Sequence, residues 1–224
     1  MSTIVTLNRG GQDAPFYQSS AGDFNGVASF STDFLTDPGF ASTDFGLVTG
    51  AGGVYGNTDG SDVSSFNSAI FAYADSAGKD FSFAVRAKFS ARNNGDIASF
   101  GLASAFGAHL PTQAANVSFK VTQGAAAAAD AIVCSFDDGT TESEVTLTNP
   151  SGFDSEAYHI FGAHVSYDGT TTTARFYIDG VEVRKTTSAG VFSAAEAMAF
   201  GGHQAAETAL LYMDWAGAAC TVRS

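Results

Sequence analysis

The stretch Tyr158–Thr187, YHIFGAHVSYDGTTTTARFYIDGVEVRKTT, constrains the fold more than any other part of the chain. Ile178 and Val181 flank the pair Asp179-Gly180. A two-residue type I′ turn needs positive φ at both central positions, and Asp-Gly meets that need at low steric cost. Before the turn, Ala174, Phe176 and Ile178 alternate with Arg175 and Tyr177. After it, Val181 and Val183 alternate with Glu182 and Arg184. That is a period of two, with one face in a core and the other in water. Upstream, His159, Phe161, Ala163, Val165 and Tyr167 share one face, and Ile160, Gly162, His164 and Ser166 the other. Asp168-Gly169 supplies a second turn. The segment predicts three antiparallel strands in a meander.

The same rhythm runs back to residue 81. Phe81–Phe89 predicts a strand, Asn93-Asn94-Gly95-Asp96 a turn, and Ile97–Leu102 and Asn116–Val121 two more strands. Ile132–Phe136 and Glu144–Leu147 read as a hairpin across Asp137-Asp138-Gly139. The alanine run Ala125–Ala129 is too short to hold a helix alone and predicts a loop or brief helical turn. Ser193–Ala199 predicts one helical turn. Over residues 21–78, Phe24, Phe30, Phe34, Phe40 and Phe45 fall at irregular spacing among turn residues, which predicts short strands and long loops. Residues 1–20 predict an N-terminal arm or edge strand. With no internal repeat and no linker-like composition, residues 21–224 are expected to form a single domain.

Composition supports this reading and excludes some partners. The chain has 20 Phe and 7 Tyr against one Trp, with 15% charged residues, as sheets packed through aromatic side chains require. At 224 residues it can bury a large core without staples. Cys134 and Cys220 are the only cysteines, each in an apolar context, and two buried thiols or one disulfide both fit. The net charge of −13 argues against a nucleic-acid partner, since phosphate binding needs a basic face. It disfavours anionic membrane surfaces too, and no apolar stretch approaches the ~20 residues of a spanning helix. Met1–Leu7 has neither a positive n-region nor an apolar h-region, so synthesis in the cytoplasm without a signal peptide is expected.

The order of the pieces carries a resemblance. The early strand Phe81–Phe89 is followed by Tyr177-Ile178-Asp179-Gly180, by Met198-Ala199-Phe200-Gly201-Gly202, and by a last strand Leu210–Ala216 holding Trp215. This resembles the laminin-G/pentraxin branch of the concanavalin A-like jelly rolls, from about Asp80 to the C-terminus. The resemblance implies an all-β, two-sheet antiparallel jelly-roll sandwich. It also implies, as in many members, a calcium ion near the sandwich rim. Asn57, Asp59 and Asp62, on the turn Asn57-Thr58-Asp59-Gly60-Ser61-Asp62, offer the oxygen ligands that a hard cation takes. Asx side chains capping their own turn are the alternative.

Hydrolases of this fold set two carboxylates on one strand face, because residues two apart point the same way and reach both sides of a glycosidic bond. Glu142-Ser143-Glu144 has that spacing but directly follows a turn, with no third carboxylate expected in register and no Trp beside it. No H-E-x-x-H, C-x-x-C or G-x-S-x-G pattern occurs. His159 and His164, five apart, fall on opposite strand faces. Carbohydrate binding needs exposed rings, and Tyr55, Tyr158 and Tyr177 are the candidate glycan-binding residues, with Tyr73 and Tyr212 further rings. Tyr177 leads, since it lies opposite Phe176 and Ile178. The expectation is a non-enzymatic module on the surface of a phage or phage-like particle, of capsid-decoration or fibre type. Its partners would be other virion or capsid subunits, further copies of itself in a homo-oligomer, and a polysaccharide. The alternative is a free-standing lectin-like carbohydrate-binding protein that depends on calcium.

Overall fold

The computed structural model describes residues 4–9, 12–17, 27–35, 38–48, 53–58, 64–73, 80–139, 142–148, 152–189, 198–205 and 208–221. Strands β1 (Ile4–Arg9), β2 (Gln12–Tyr17), β3 (Val27–Thr32), β4 (Ala41–Thr43), β5 (Phe45–Leu47), β6 (Tyr55–Asn57) and β7 (Ser64–Tyr73) come first. Then follow β8 (Asp80–Phe89), β9 (Ile97–Ala103), β10 (Ala115–Thr122), β11 (Ala131–Asp138) and β12 (Glu142–Thr148). The last are β13 (His159–Tyr167), β14 (Thr172–Ile178), β15 (Val181–Ser188), β16 (Met198–Gln204) and β17 (Leu211–Thr221). Among the described residues there is no α-helix; Ala127–Ala129, in the alanine run, makes a 3₁₀ turn. Of the predicted helical turn at 193–199, Met198 and Ala199 lie in β16, where they pair with β7 and β9, and 193–197 fall outside the described residues.

The strands form two antiparallel sheets. One has seven strands in the order β12-β11-β10-β9-β16-β7-β4. The other has eight, in the order β15-β14-β13-β8-β17-β6-β5, with β3 also on β17. Strands distant in sequence are neighbours, as in β9–β16 and β8–β17, and this winding makes the chain a jelly-roll sandwich. β1 and β2 pair with each other as a separate ribbon, with β2 running against β8. The predicted meander is β13-β14-β15. Asp179 and Gly180 have φ of 50° and 80°, the two positive values its turn requires. The faces of β15 are a correction: a register shift between Phe176 and Tyr177 sets Arg184 opposite Phe176. Arg184 is therefore buried and Val181 exposed, the reverse of the alternation expected.

Alternation sends one face of β8, β9, β10 and β13 inward. Phe81, Phe83 and Val85 of β8, Phe100 and Leu102 of β9, Val117, Phe119 and Val121 of β10, and Phe161, Ala163 and Val165 of β13 belong to one buried cluster. Cys134 joins it as a free thiol, and burial pushes that thiol up to about 12.

One ion-pair network closes an end of the sandwich. Arg92 Nη1 donates to Asp130 Oδ1 at 2.7 Å and Nη2 to Asp154 Oδ1 at 2.5 Å, while Nε donates to Glu156 Oε2 at 3.0 Å. Asp130 also accepts the backbone N–H groups of Gly124 (2.8 Å) and Ser155 (2.9 Å). Three connecting segments are thus tied to one carboxylate whose side chain is 0% exposed, against 18% for Arg92. Burial pushes the Asp130 carboxyl up, but the Arg92 hydrogen bond and the two backbone donors outweigh it and hold it below its ordinary value. Replacing Arg92 by Met leaves that carboxylate buried without its partner and is expected to cost about 3–5 kcal/mol in denaturant unfolding. In the wild type, the stability contributed by Asp130 is present above the ordinary carboxylate range. It is lost as pH falls below about 4, which acid titration of the unfolding midpoint, with and without the Arg92→Met change, will reveal.

Candidate functional site

The outer face of the eight-stranded sheet gathers aromatic and charged side chains. Tyr212 of β17 lies opposite Lys88 on one side and Gly56 on the other. Its ring covers Gly56: a Cβ there would stand 2.5 Å from the ring's Cδ1, so this approach requires glycine. One row along, Arg86 pairs with Ile160 and Trp215. Register slips between Met213 and Trp215, so Asp214 is an extra residue of β17, a bulge of the kind that re-aims a side chain. Arg86 Nη1 donates to Asp214 Oδ2. The Arg86 guanidinium also sits 4.4 Å from the centroid of the half-buried Tyr158 ring, with Lys88 Nζ at 5.1 Å. Burial raises the Tyr158 phenol, the Asp214 charge adds to the rise, and Arg86 opposes it. Trp215 packs on Ala84 and Ile160.

The predicted site residues have separate fates. Tyr158 stands in this cluster. Tyr177 stands on the same outer face in the next row, half-buried, between Gly162 and Glu182. Tyr55 is a correction: it is 1% exposed, its ring 5.1 Å from Phe34 and 5.8 Å from Phe66, and no sugar can stack on it. In β6 it is Gly56 that takes the outer face, which turns Tyr55 inward. Asn57 is also buried and donates its amide to Gln204 Oε1 at 3.2 Å. Asp59 and Asp62, the other calcium candidates, lie outside the described residues. Among the described residues no three His, Cys, Asp or Glu side chains converge as a metal site. Arg86, Lys88 and Asp214 went unmarked by sequence reasoning, although Arg86 and Lys88 fall on the non-core positions of the predicted strand 81–89.

The outer face of the seven-stranded sheet has a different character. One row across it reads Thr146, Val133, Lys120, Ser99, His203, Ser65. The next reads Glu144, Ser135, Ser118, Gly101, Gly201. Small and polar side chains prevail, yet Ser99, Ser118 and Ser135 are buried. The segment 104–114 crosses this face. The Phe106 ring lies over Gly201, and the N–H of buried Leu110 donates to Ser99 Oγ at 3.0 Å. His109 meets His203 with Nδ1 atoms 3.3 Å apart. Burial, His203 and then Lys120 push His109 down to about 4, and burial lowers His203. Glu142 and Glu144 are exposed on the edge strand β12. Asp137 faces Glu142 across the β11–β12 pair, so, contrary to the expectation, a third carboxylate does lie in register, because it comes from the neighbouring strand.

The architecture is the concanavalin A-like jelly roll. A legume lectin-like domain from Entamoeba histolytica matches with a TM-score of 0.57 at 7% identity, over 84% of this chain and 95% of that one. The endo-1,3-beta-glucanase from Streptomyces sioyaensis matches at 0.56 and 11% identity, over 92% and 100%. Lectin UEA-II, solved in complex with galactose, matches at 0.55 and 13%, over 87% and 99%. No family model matches the sequence, and no curated protein does. Likeness at these identities concerns the fold alone.

The crossing segment has its own test. At Gly201 a Cβ would stand 2.3 Å from the Phe66 carbonyl oxygen and 2.4 Å from the Phe106 ring. Gly201→Ala is therefore expected to cost about 1–3 kcal/mol through overpacking. It should also make the 104–114 segment the first site cut in limited proteolysis, with cleavage mapped by mass spectrometry.

Proposed function

We propose that this chain is a carbohydrate-binding module whose glycan-binding face is the outer side of the eight-stranded sheet around Tyr158 and Tyr212. One observation carries the reading: two partly exposed rings stand beside Arg86, Lys88 and Asp214 on rigid strands. The C–H face of a pyranose packs against an aromatic ring, while its hydroxyls accept hydrogen bonds from a guanidinium and donate them to a carboxylate. The lectin-like fold supports the reading. Trp215, the chain's one tryptophan, packs in the row of Arg86 and gives a native reporter. Titration with galactose- and glucose-based polysaccharides is expected to shift its emission. Tyr158→Ala and Tyr212→Ala should each weaken binding about tenfold, or ~1.4 kcal/mol. Glycan arrays with no hit, or ring variants that bind like the wild type, would sink this reading.

The setting belongs to the same proposal. A place on the surface of a phage or phage-like particle, as a homo-oligomer beside other subunits, is supported by the acidic chain. It is further supported by the β1–β2 ribbon, which pairs with itself rather than extending either sheet and suits docking on a neighbour. Light scattering is expected to give a defined oligomer indifferent to EDTA, and deletion of residues 1–20 should abolish co-sedimentation with particles. A monomer whose mass or stability falls on chelation and is restored by calcium, not by zinc, would move the reading to a free-standing, calcium-dependent lectin. Asp137 facing Glu142 favours glycan hydrolysis as a rival. Release of reducing sugar that disappears in Glu142→Gln or Glu144→Gln would replace binding by catalysis.

A further inference from the structure

Two imidazoles meet on the outer face of the seven-stranded sheet, away from the rings of the other sheet. His203 rises from β16 in the row of Ser99 and Lys120, and His109 reaches it from the crossing segment. Their Nδ1 atoms are 3.3 Å apart, their ring centroids 4.6 Å, and their planes inclined at 80°. The nitrogens stand closer together than the centroids, so the two rings face each other through their Nδ1 edges. Two neutral imidazoles alone can share a single N–H···N hydrogen bond there. A metal ion uses both lone pairs. A tetrahedral ion with metal–nitrogen bonds of about 2.0–2.1 Å sets two ligand nitrogens roughly 3.3–3.4 Å apart, which is the spacing of this pair.

The surroundings supply part of the remaining shell. Ser99 Oγ lies 3.4 Å from His109 Nδ1 and 3.4 Å from the His203 carbonyl oxygen. Among the described residues no further His, Cys, Asp or Glu joins the pair, which leaves the other positions to the Ser99 hydroxyl and solvent. Burial keeps both rings in the neutral form that ligates metal. Lys120 is the opposing element: its charge disfavours a proton on His109 and disfavours a cation for the same reason. We propose that His109 and His203, with Ser99 beside them, bind a divalent d-block metal ion such as zinc or copper, and that the ion pins the 104–114 segment to the sheet. Neutral nitrogen donors suit zinc, copper and nickel, whereas calcium and magnesium take oxygen shells, so the site differs in kind from the turn at Asn57.

Metal titration of the full-length protein, freed of metal by chelation, tests this. Zinc in excess over its Kd is expected to raise Tm by several degrees, with copper tighter than nickel or zinc and no response to calcium or magnesium. Copper added at one equivalent should show hyperfine coupling to two imidazole nitrogens in electron paramagnetic resonance. His109→Ala and His203→Ala should each abolish the coupling and the Tm shift, and Lys120→Gln should tighten binding. The copper spectrum of the wild type keeps the test open should a variant fail to fold. A spectrum with fewer than two imidazoles, or metal binding unchanged in both histidine variants, overturns the site and leaves the pair as a hydrogen-bonded contact.

Discussion

Phe119, on β10 of one sheet, stands against three rings of the other: Phe83 at 6.1 Å, Phe161 at 5.3 Å and Phe176 at 5.4 Å between centroids. Phe100 reaches Phe161 at 4.9 Å, and Phe83 continues through Phe200 to Phe66 at 6.0 and 5.9 Å. These contacts join β7, β9, β10 and β16 to β8, β13 and β14 through edge-on and tilted rings, the arrangements that quadrupoles favour. Each such ring buries roughly 150–250 Å², and together they fill the space between the sheets. The period of two then leaves each strand no choice about its other face. Whatever stands between the phenylalanines in sequence must stand outside.

That requirement produces two outer faces from one core. On β8, Phe83, Val85, Ala87 and Phe89 are the buried residues, so Arg86 and Lys88 point away from the core. On β10, Val117, Phe119 and Val121 are buried inward, and Ser118 and Lys120 point the opposite way. The eight-stranded sheet ends up carrying rings and charges, because β8 lies next to β17 and its Tyr212, Asp214 and Trp215. On the seven-stranded sheet, Ser99, Gly101, Ser118, Ser135 and Gly201 share adjacent rows, small residues that let the 104–114 segment lie close.

How far this was legible in the sequence follows from how local each contact is. The meander β13-β14-β15 was readable as three strands because its Asp-Gly turns are local, but the faces of β15 were not. A register shift between Phe176 and Tyr177 turns Arg184 inward and leaves Val181 exposed, which no alternation within one strand shows. The sandwich followed from the same rhythm, and so did the outward aim of Tyr177. Tyr55 failed because β6 is three residues long and flanked by loops, too short to show which face is which; only its pairing with β5 and β17 fixes that. Arg92 with Asp130, and His109 with His203, are joined across 38 and 94 positions. No periodicity in one strand can announce a partner that arrives from another. The bulge at Asp214 was equally hidden, because an extra residue shows only against the strand it fails to pair with.

The difference between the two faces bears on where recognition belongs. A ligand on the seven-stranded sheet would have to displace Phe106, buried Leu110 and the hydrogen bond to Ser99, a cost set against every contact it gained. A ligand on the eight-stranded sheet meets Tyr158 and Tyr212 already held, the first against Arg86 and the second over Gly56, so little ordering remains for binding to supply. The Arg86–Asp214 pair is partly exposed and worth little to stability. Its geometry is set all the same, by the bulge beneath Asp214 and by the Tyr158 ring under the guanidinium. In the proposed reading, a charged pair that adds little to folding but is fixed by its neighbours holds polar groups of the glycan. The covered face does the reverse: its histidines and serine are spent on holding the chain's own segment in place.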